Sequence, residues 1–358
     1  MNSQGGYPRH QGQRLRASRV LLLCAAGLGL VLVVFALAVR FGEQSISLAA
    51  ALTQPGSSDA VIFWELRLYR AVLAMIVGAG LAASGATLQG LLRNPLADPF
   101  VLGVSGGAAL GATLALALGL ATVGEMAPGL VGGLERLSAP ALFAFFGAGG
   151  SVVFVLSVSR GHAARAPYAA LLTGVVFNAF ASAAITLIKT LSHRDRLGEI
   201  LHYLVGTLQH ERVPTLVLSA LLQVCALAVM IALSGRLNLM TLGDEDATAL
   251  GVPVARTRLL LLLATSASVA GAVVLTGLIG FVGLIVPHLL RLALGPDQRL
   301  LIPLSALGGA VFLMLSDLLA RLTFNLFGNE LPVGVITALL GGPLFIALLT
   351  RKGGALGR

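Results

Sequence analysis

Apolar runs of roughly 20 residues recur from one end of this chain to the other, each long enough as a helix to cross a hydrocarbon core of about 30 Å. Runs such as residues 216–233 and 259–275 are apolar on every face. A transmembrane barrel would instead show alternating strands of about ten residues, and a soluble amphipathic helix would keep one polar side. The chain is therefore read as an all-α, polytopic membrane protein. Composition agrees, because 57% of the 358 residues are hydrophobic and only 11% are charged, against a usual charged share of about 25% in soluble domains.

Ten spans are expected, at residues 20–39, 71–92, 100–120, 139–158, 168–190, 214–233, 259–276, 278–292, 301–320 and 333–349. They form one transmembrane domain over residues 20–350, with a disordered basic tail at 1–19 and a short tail at 351–358. The first run could also be a secretory signal peptide, since a basic flank precedes it and Ala36-Leu37-Ala38 imitates a cleavage site. Its length and the many spans that follow favour a retained helix. The formal charge is +9, but the basic residues stand in pairs at the ends of apolar runs. This reads as membrane topology rather than nucleic-acid binding. The bias places both termini in the cytoplasm with Arg93, Arg236, Arg258, Arg291 and Arg299, and places Arg40, Arg67, Arg70 and Arg321 outside. Cys24 and Cys225 lie in separate apolar runs and imply no disulfide framework.

Small residues repeat at four-residue spacing, as Gly78, Ala82, Ala86 and Gly90 in one span and Gly103, Gly107 and Gly111 in the next. One face of each helix thus invites close backbone contact, and a tight hairpin turning at Arg93–Pro99 is expected. The run 278–292 is short for a span, is broken up by Gly277, Gly280, Gly283 and Pro287, and predicts a broken or tilted helix. Backbone of that kind survives at membrane depth only under a protein cover or beside water.

Gly103-Val104-Ser105-Gly106-Gly107 fits the G-x-S-x-G nucleophile pattern, but no strand precedes it and nothing brings His288 to Ser105. Asp317 is the one acid well inside a span, four residues before Arg321, which suits a local ion pair and argues against an ion-coupled carrier. The polar interruption 235–258 holds Asp244, Glu245 and Asp246 at the start of a short helix that Gly251 and Pro253 end. Leu242, Ala249 and Leu250 would give that helix an apolar side of the sort that docks into a partner's groove. No phosphate-binding loop occurs, and the only lysines are Lys189 and Lys352. If ATP drives this protein, another chain hydrolyses it.

Five stretches together resemble the permease family of binding-protein-dependent ABC importers for iron–siderophores, haem and cobalamin. They are Arg67-Leu68-Tyr69-Arg70, RNPLADPFVLGVSGGAALGA from Arg93, LGDEDATALGV from Leu242, GFVGLIVPHLLR from Gly280, and ELPVGVITALLGGPLF from Glu330. The resemblance implies a type II importer fold of about ten helices, a homodimer with the pathway at its two-fold axis, two ATPase subunits beneath, and a periplasmic or extracellular substrate-binding protein above. It implies no cofactor on this chain and no catalytic residue. Arg67, Arg70 and Arg321 are then expected to meet acids of the binding protein. The segment Leu242, Gly243, Asp244, Glu245, Asp246, Ala249, Leu250 and Gly251 is expected to couple to the ATPase. The cytoplasmic gate falls at Ala166, Pro167 and Tyr168, where the cobalamin importer has small hydroxyl residues. The cargo expected is a ferric siderophore or haem, with cobalamin as the alternative.

Overall fold

Among the described residues, ten apolar helices carry the chain to and fro: α1 (Ala17–Arg40), α2 (Tyr69–Leu91), α3 (Val104–Leu118), α4 (Ala139–Ser159), α5 (Ala166–Leu191), α6 (Val213–Met240), α7 (Val254–Thr276), α8 (Val282–Leu294), α9 (Gln298–Leu322) and α10 (Val333–Gly353). The structure is a computed structural model, and it describes residues 17–54, 56–126, 137–159, 166–208 and 212–353. Seven of the ten lie in helices long and apolar enough to cross a membrane, and α3, α8 and α10 contribute shorter apolar helices. Among the described residues there is no strand, only an isolated bridge between Thr122 and Ser138. The tails expected at 1–19 and 351–358 fall largely outside the described residues.

Burial sorts the helices. Windows in α2, α7 and α9 are 78%, 72% and 67% buried, whereas those in α1 and α5 are each 11% buried. The three buried helices form the centre, and α1 and α5 lie at the periphery. α1 nevertheless rests on α9, with Val31, Val34 and Ala38 buried and Gly27 against Leu307.

Lipid chains are as apolar as leucine, so helices in a bilayer gain by letting backbones approach rather than by hiding oil from water. The contact of α2 with α9 uses this. A Cβ on Gly78 would stand 2.2 Å from the Gly309 carbonyl oxygen, and one on Gly309 would stand 2.1 Å from that of Gly78. α3 meets α4 in the same manner through Gly107 and Gly147.

The hairpin expected of α2 and α3 does not form. The two helices scarcely touch. Gly78 and Ala82 turn to α9, while Gly107 and Gly111 turn to Gly147 and Phe143 of α4. The corner explains the divergence. After Arg93 the chain runs back into the protein, so that Pro99 lies against Gly283, and it makes a 3₁₀ turn at Pro99–Leu102. Gly103, at φ +84°, then redirects it into α3 beside Gly174 and Phe177 of α5. Asn178 Nδ2 and Ser105 Oγ both donate to the Phe100 carbonyl, at 2.8 and 3.2 Å. Four-residue spacing told which face wants a close neighbour, but it could not tell which helix supplies one.

The broken helix is found as expected, with α8 starting only at Val282 and Pro287 inside it. The irregular stretch before it is covered by a helix that hydropathy alone passes over, Arg194–Val205. Leu197, Ile200 and Leu204 share one face of that helix, and Ile200 is fully buried. Thr207 N donates to Thr276 O at 2.9 Å, and Tyr203 Oη donates to Val273 O at 2.8 Å. These bonds give polar backbone groups protein partners where the bilayer offers no water. α6 also runs longer than expected, to Met240, which shortens the loop that follows.

Candidate functional site

Two charged clusters mark opposite ends of the bundle, and each gathers residues far apart in sequence. At the end where α2 and α6 finish and α7 begins, a short helix Asp244–Ala249 hangs between Gly243 and Leu250. Ala247 is buried beneath it, which seats the helix, while Leu242 and Leu250 stand 65% and 59% exposed at its two ends. Glu245, Asp246 and Ala249 are exposed beside them, and Gly251, at φ +82°, turns the chain toward α7. The arrangement presents two leucines and two carboxylates on one projecting knob.

Asp244 fastens that knob. Its Oδ1 takes Arg93 Nη2 at 2.7 Å and its Oδ2 takes Arg258 Nη2 at 2.6 Å. Arg93 also donates to the Met240 carbonyl, from Nη2 at 2.7 Å and from Nε at 3.1 Å. Arg93 reaches these partners from a left-handed backbone, φ +50°, a region that costs a bulky residue free energy unless its surroundings hold it. The corner after α2 and the projecting helix are thereby tied into one body. Sequence reasoning saw Arg93 only as a topology signal, because its partner lies 151 positions away.

Burial pushes the Asp244 carboxyl up, but hydrogen bonding and charge pairing with Arg258 and Arg93 outweigh it and leave the group below its ordinary value of 3.8. A lowered carboxylate contributes stability that is present above its unfolded value and lost as pH falls through the folded one. The clamp is therefore expected to persist from neutral pH down to about pH 5, and to break only in stronger acid. Asp244→Asn should remove it at every pH. Protection of residues 241–253 from hydrogen exchange should fall in the variant and stay constant in the wild type between those two conditions; equal protection in both proteins would contradict the clamp.

At the opposite end, Arg67, Arg70 and Arg321 come together as expected, but none is a free rim charge. Arg67 Nη1 donates to Arg40 O at 2.8 Å and Val39 O at 3.4 Å, and its Nη2 donates to Gln44 O. Arg321 donates to Ala38 O at 2.9 Å and Phe41 O at 3.2 Å. Both side chains thus satisfy carbonyls at the C-terminus of α1, where the helix leaves acceptors unpaired and its dipole favours cations. Arg67 and Arg321 are each only 4% exposed.

Arg70 is held by two acids. Its Nη2 lies 2.7 Å from Asp317 Oδ1, and Glu330 accepts from both Nη1 and Nη2. Asp317 Oδ2 in turn lies 3.0 Å from Arg321 Nε, the local pair its spacing predicted. With both oxygens engaged by arginines, Asp317 is a structural ion pair. The chain from residue 62 to 68 is a π-helix leading into α2, and it brings Arg67 and Arg70 to this cluster. A cavity of about 340 Å³ opens beside it, lined by Glu43, Arg67, Arg70, Arg321 and Glu330 among others. Glu43 and Glu330 had no signal in hydropathy, since both lie in connections between spans.

Ser105 spends its hydroxyl on a turn carbonyl and is 4% exposed, with a 3₁₀ turn rather than a strand before it. The nucleophile pattern is thus part of a packing corner. Ala166, Pro167 and Tyr168 open α5, and their side chains lie outside the described residues.

The ten apolar helices among the described residues, with a projecting knob at one end and a charged cavity at the other, form the architecture of a multi-pass membrane protein. The chain belongs to the FecCD transport family, whose model matches residues 19–351. It is 42% identical over 292 residues to the cobalamin import system permease protein BtuC of Halobacterium salinarum, covering 82% of this chain and 74% of the relative. It is 38% identical over 329 residues to the hemin transport system permease protein HmuU of Yersinia pestis, covering 90% and 94%. A solved metal-chelate type ABC transporter in an inward-facing conformation superposes with a TM-score of 0.78 at 29% identity, over 93% of this chain and 99% of that one. The protein is therefore the membrane-spanning permease component of an ABC importer, and not itself an enzyme. Permeases of this class work with ATPase and binding-protein partners in the cytoplasmic membrane.

Proposed function

We propose that this permease imports a ferric siderophore or haem, as a homodimer fed by a binding protein and driven by two ATPase subunits. The relative named for hemin, which spans nearly the whole chain, is the observation that carries the cargo reading. Ala166, Pro167 and Tyr168 at the proposed gate lack the small hydroxyl residues expected of a cobalamin importer, which favours an iron chelate. Cobalamin is the second reading, favoured by the relative from Halobacterium salinarum.

In this reading the knob at Asp244–Ala249 faces the cytoplasm and receives the ATPase. The cluster of Arg67, Arg70 and Arg321 faces outward and receives acids of the binding protein. Both termini are cytoplasmic, which agrees with ten alternating crossings. α5 leaves Leu172, Val176 and Phe180 exposed, 60% or more each, which supports an apolar contact with a second copy. Movement of the coupling knob would then reach the α2–α3 corner through Arg93 and Asp244, so that ATP-driven closure alternates access to a central path.

Reconstitution tests this directly. Liposomes holding the permease and its ATPase, supplied with the binding protein loaded in turn with haem, ferric siderophore or cobalamin, should accumulate an iron chelate only with ATP inside. Uptake of cobalamin alone would overturn the cargo. Uptake under a proton gradient without ATPase would overturn the mechanism.

A further inference from the structure

We infer that a carboxylate of the docking partner takes Arg70 from Glu330, so that Glu330 is a built-in competitor for the docking site. This rests on the docking reading above and sharpens it to one exchange. Of the three arginines, Arg67 and Arg321 give their guanidinium donors chiefly to carbonyls at the end of α1 and just beyond it, and each is only 4% exposed. Arg70 keeps 19% of its side chain exposed, and the two acids on it differ. Asp317 is 1% exposed and cross-linked to Arg321, so it stays. Glu330 is 30% exposed and belongs to the connection between α9 and α10, so it can leave.

An arginine this enclosed cannot be left with an unpaired face, because a buried charge without its partner is costly. It can, however, trade one planar carboxylate for another of the same geometry. The trade loses little, whereas a neutral side chain arriving at Arg70 would strand the guanidinium. Selection for an acidic partner follows from the geometry of the exchange. The cavity beside Arg70 gives the arriving side chain room. It also gives the departing one a place, because Glu43 lies within hydrogen-bonding reach of Glu330. Burial, and then the neighbouring Glu330, push the Glu43 carboxyl above its ordinary value. Leu331 N remains tied to Thr323 Oγ1 at 3.2 Å, so Glu330 can swing without releasing the start of α10.

The test is the affinity of the cognate substrate-binding protein for the full permease in nanodiscs. Glu330→Gln should tighten Kd by about tenfold, the scale of one charge-assisted pair. Asp59→Asn makes the same charge change at the same end and should shift Kd by less than about twofold. Should Glu330→Gln fail to fold, Glu330→Asp keeps the charge but withdraws it by one methylene, and should tighten Kd by a smaller factor. Unchanged or weaker docking in a folded Glu330 variant overturns the competitor, as does equal tightening by Asp59→Asn. Arg70→Glu separates the two levels. If it leaves Kd unchanged, the docking reading itself fails; if it weakens docking while Glu330→Gln has no effect, docking stands and the exchange falls.

Discussion

Gly85→Val is expected to abolish the assembled permease. A Cβ at Gly85 would stand 1.7 Å from the carbonyl oxygen of Gly283, 2.5 Å from its carbonyl carbon and 2.7 Å from its Cα. All three atoms are backbone, so no rotamer relieves the clash. α2 and α8 would have to part by more than an ångström at their closest point. That separation removes the bond from Gln89 Nε2 to Leu284 O, 3.1 Å long in the wild type. It also opens the irregular stretch before α8, whose polar backbone groups cost several kcal/mol each when left bare in hydrocarbon. Every 1.4 kcal/mol is a factor of ten, so the folded, monodisperse fraction in detergent should fall by two orders of magnitude or so. Gly149→Val is the matched control, because nothing lies within 4 Å of a Cβ at Gly149. Wild-type yield of the Gly85 variant would show that α2 and α8 do not meet in this way.

The second large effect belongs to the knob at Asp244–Ala249, proposed above as the ATPase contact. Leu242 and Leu250 are exposed to 65% and 59% at the end of the bundle where a polar surface is expected, and they flank one buried anchor, Ala247. An exposed apolar pair on a seated helix is what a partner's groove desolvates, and anchors of this kind contribute about 2 kcal/mol or more each. The double variant Leu242→Asp, Leu250→Asp should therefore weaken ATPase association by about a thousandfold and end ATP-driven transport. The permease alone should keep its melting behaviour, since neither side chain packs inside it. Co-purification of the ATPase with the double variant at wild-type yield would remove the knob from the coupling path.

Much of the architecture was legible before any coordinates. Spans declare themselves because each must be long and apolar on its own, a demand local to some 20 residues. The break before α8 was legible for the same reason, since Gly280, Gly283 and Pro287 weaken a helix wherever they sit. The helix Arg194–Val205 was missed, although Leu197, Ile200 and Leu204 carry its signal at helical spacing. A hydropathy reading passes over an amphipathic helix that lies against the bundle instead of crossing it.

The sites divide along the same line. Arg67, Arg70 and Arg321 were assigned to one end from charge bias and family resemblance, and they do converge there. Their state was not legible. Whether an arginine is a free rim charge or a cap on another helix depends on Ala38, Arg40, Asp317 and Glu330, which reach it from other segments. Likewise the carboxylate of Asp244 looked like helix-dipole chemistry and proved to be a clamp on Arg93.

By itself, then, the sequence determined the order and approximate extent of the apolar helices and gathered the charged groups at their ends, because those follow from the free energy of single segments in a bilayer. Only the tertiary structure decided which glycine face meets which, and which charges are already paired. Such contacts are set by the mutual fit of segments remote in the chain, and no local pattern encodes the partner.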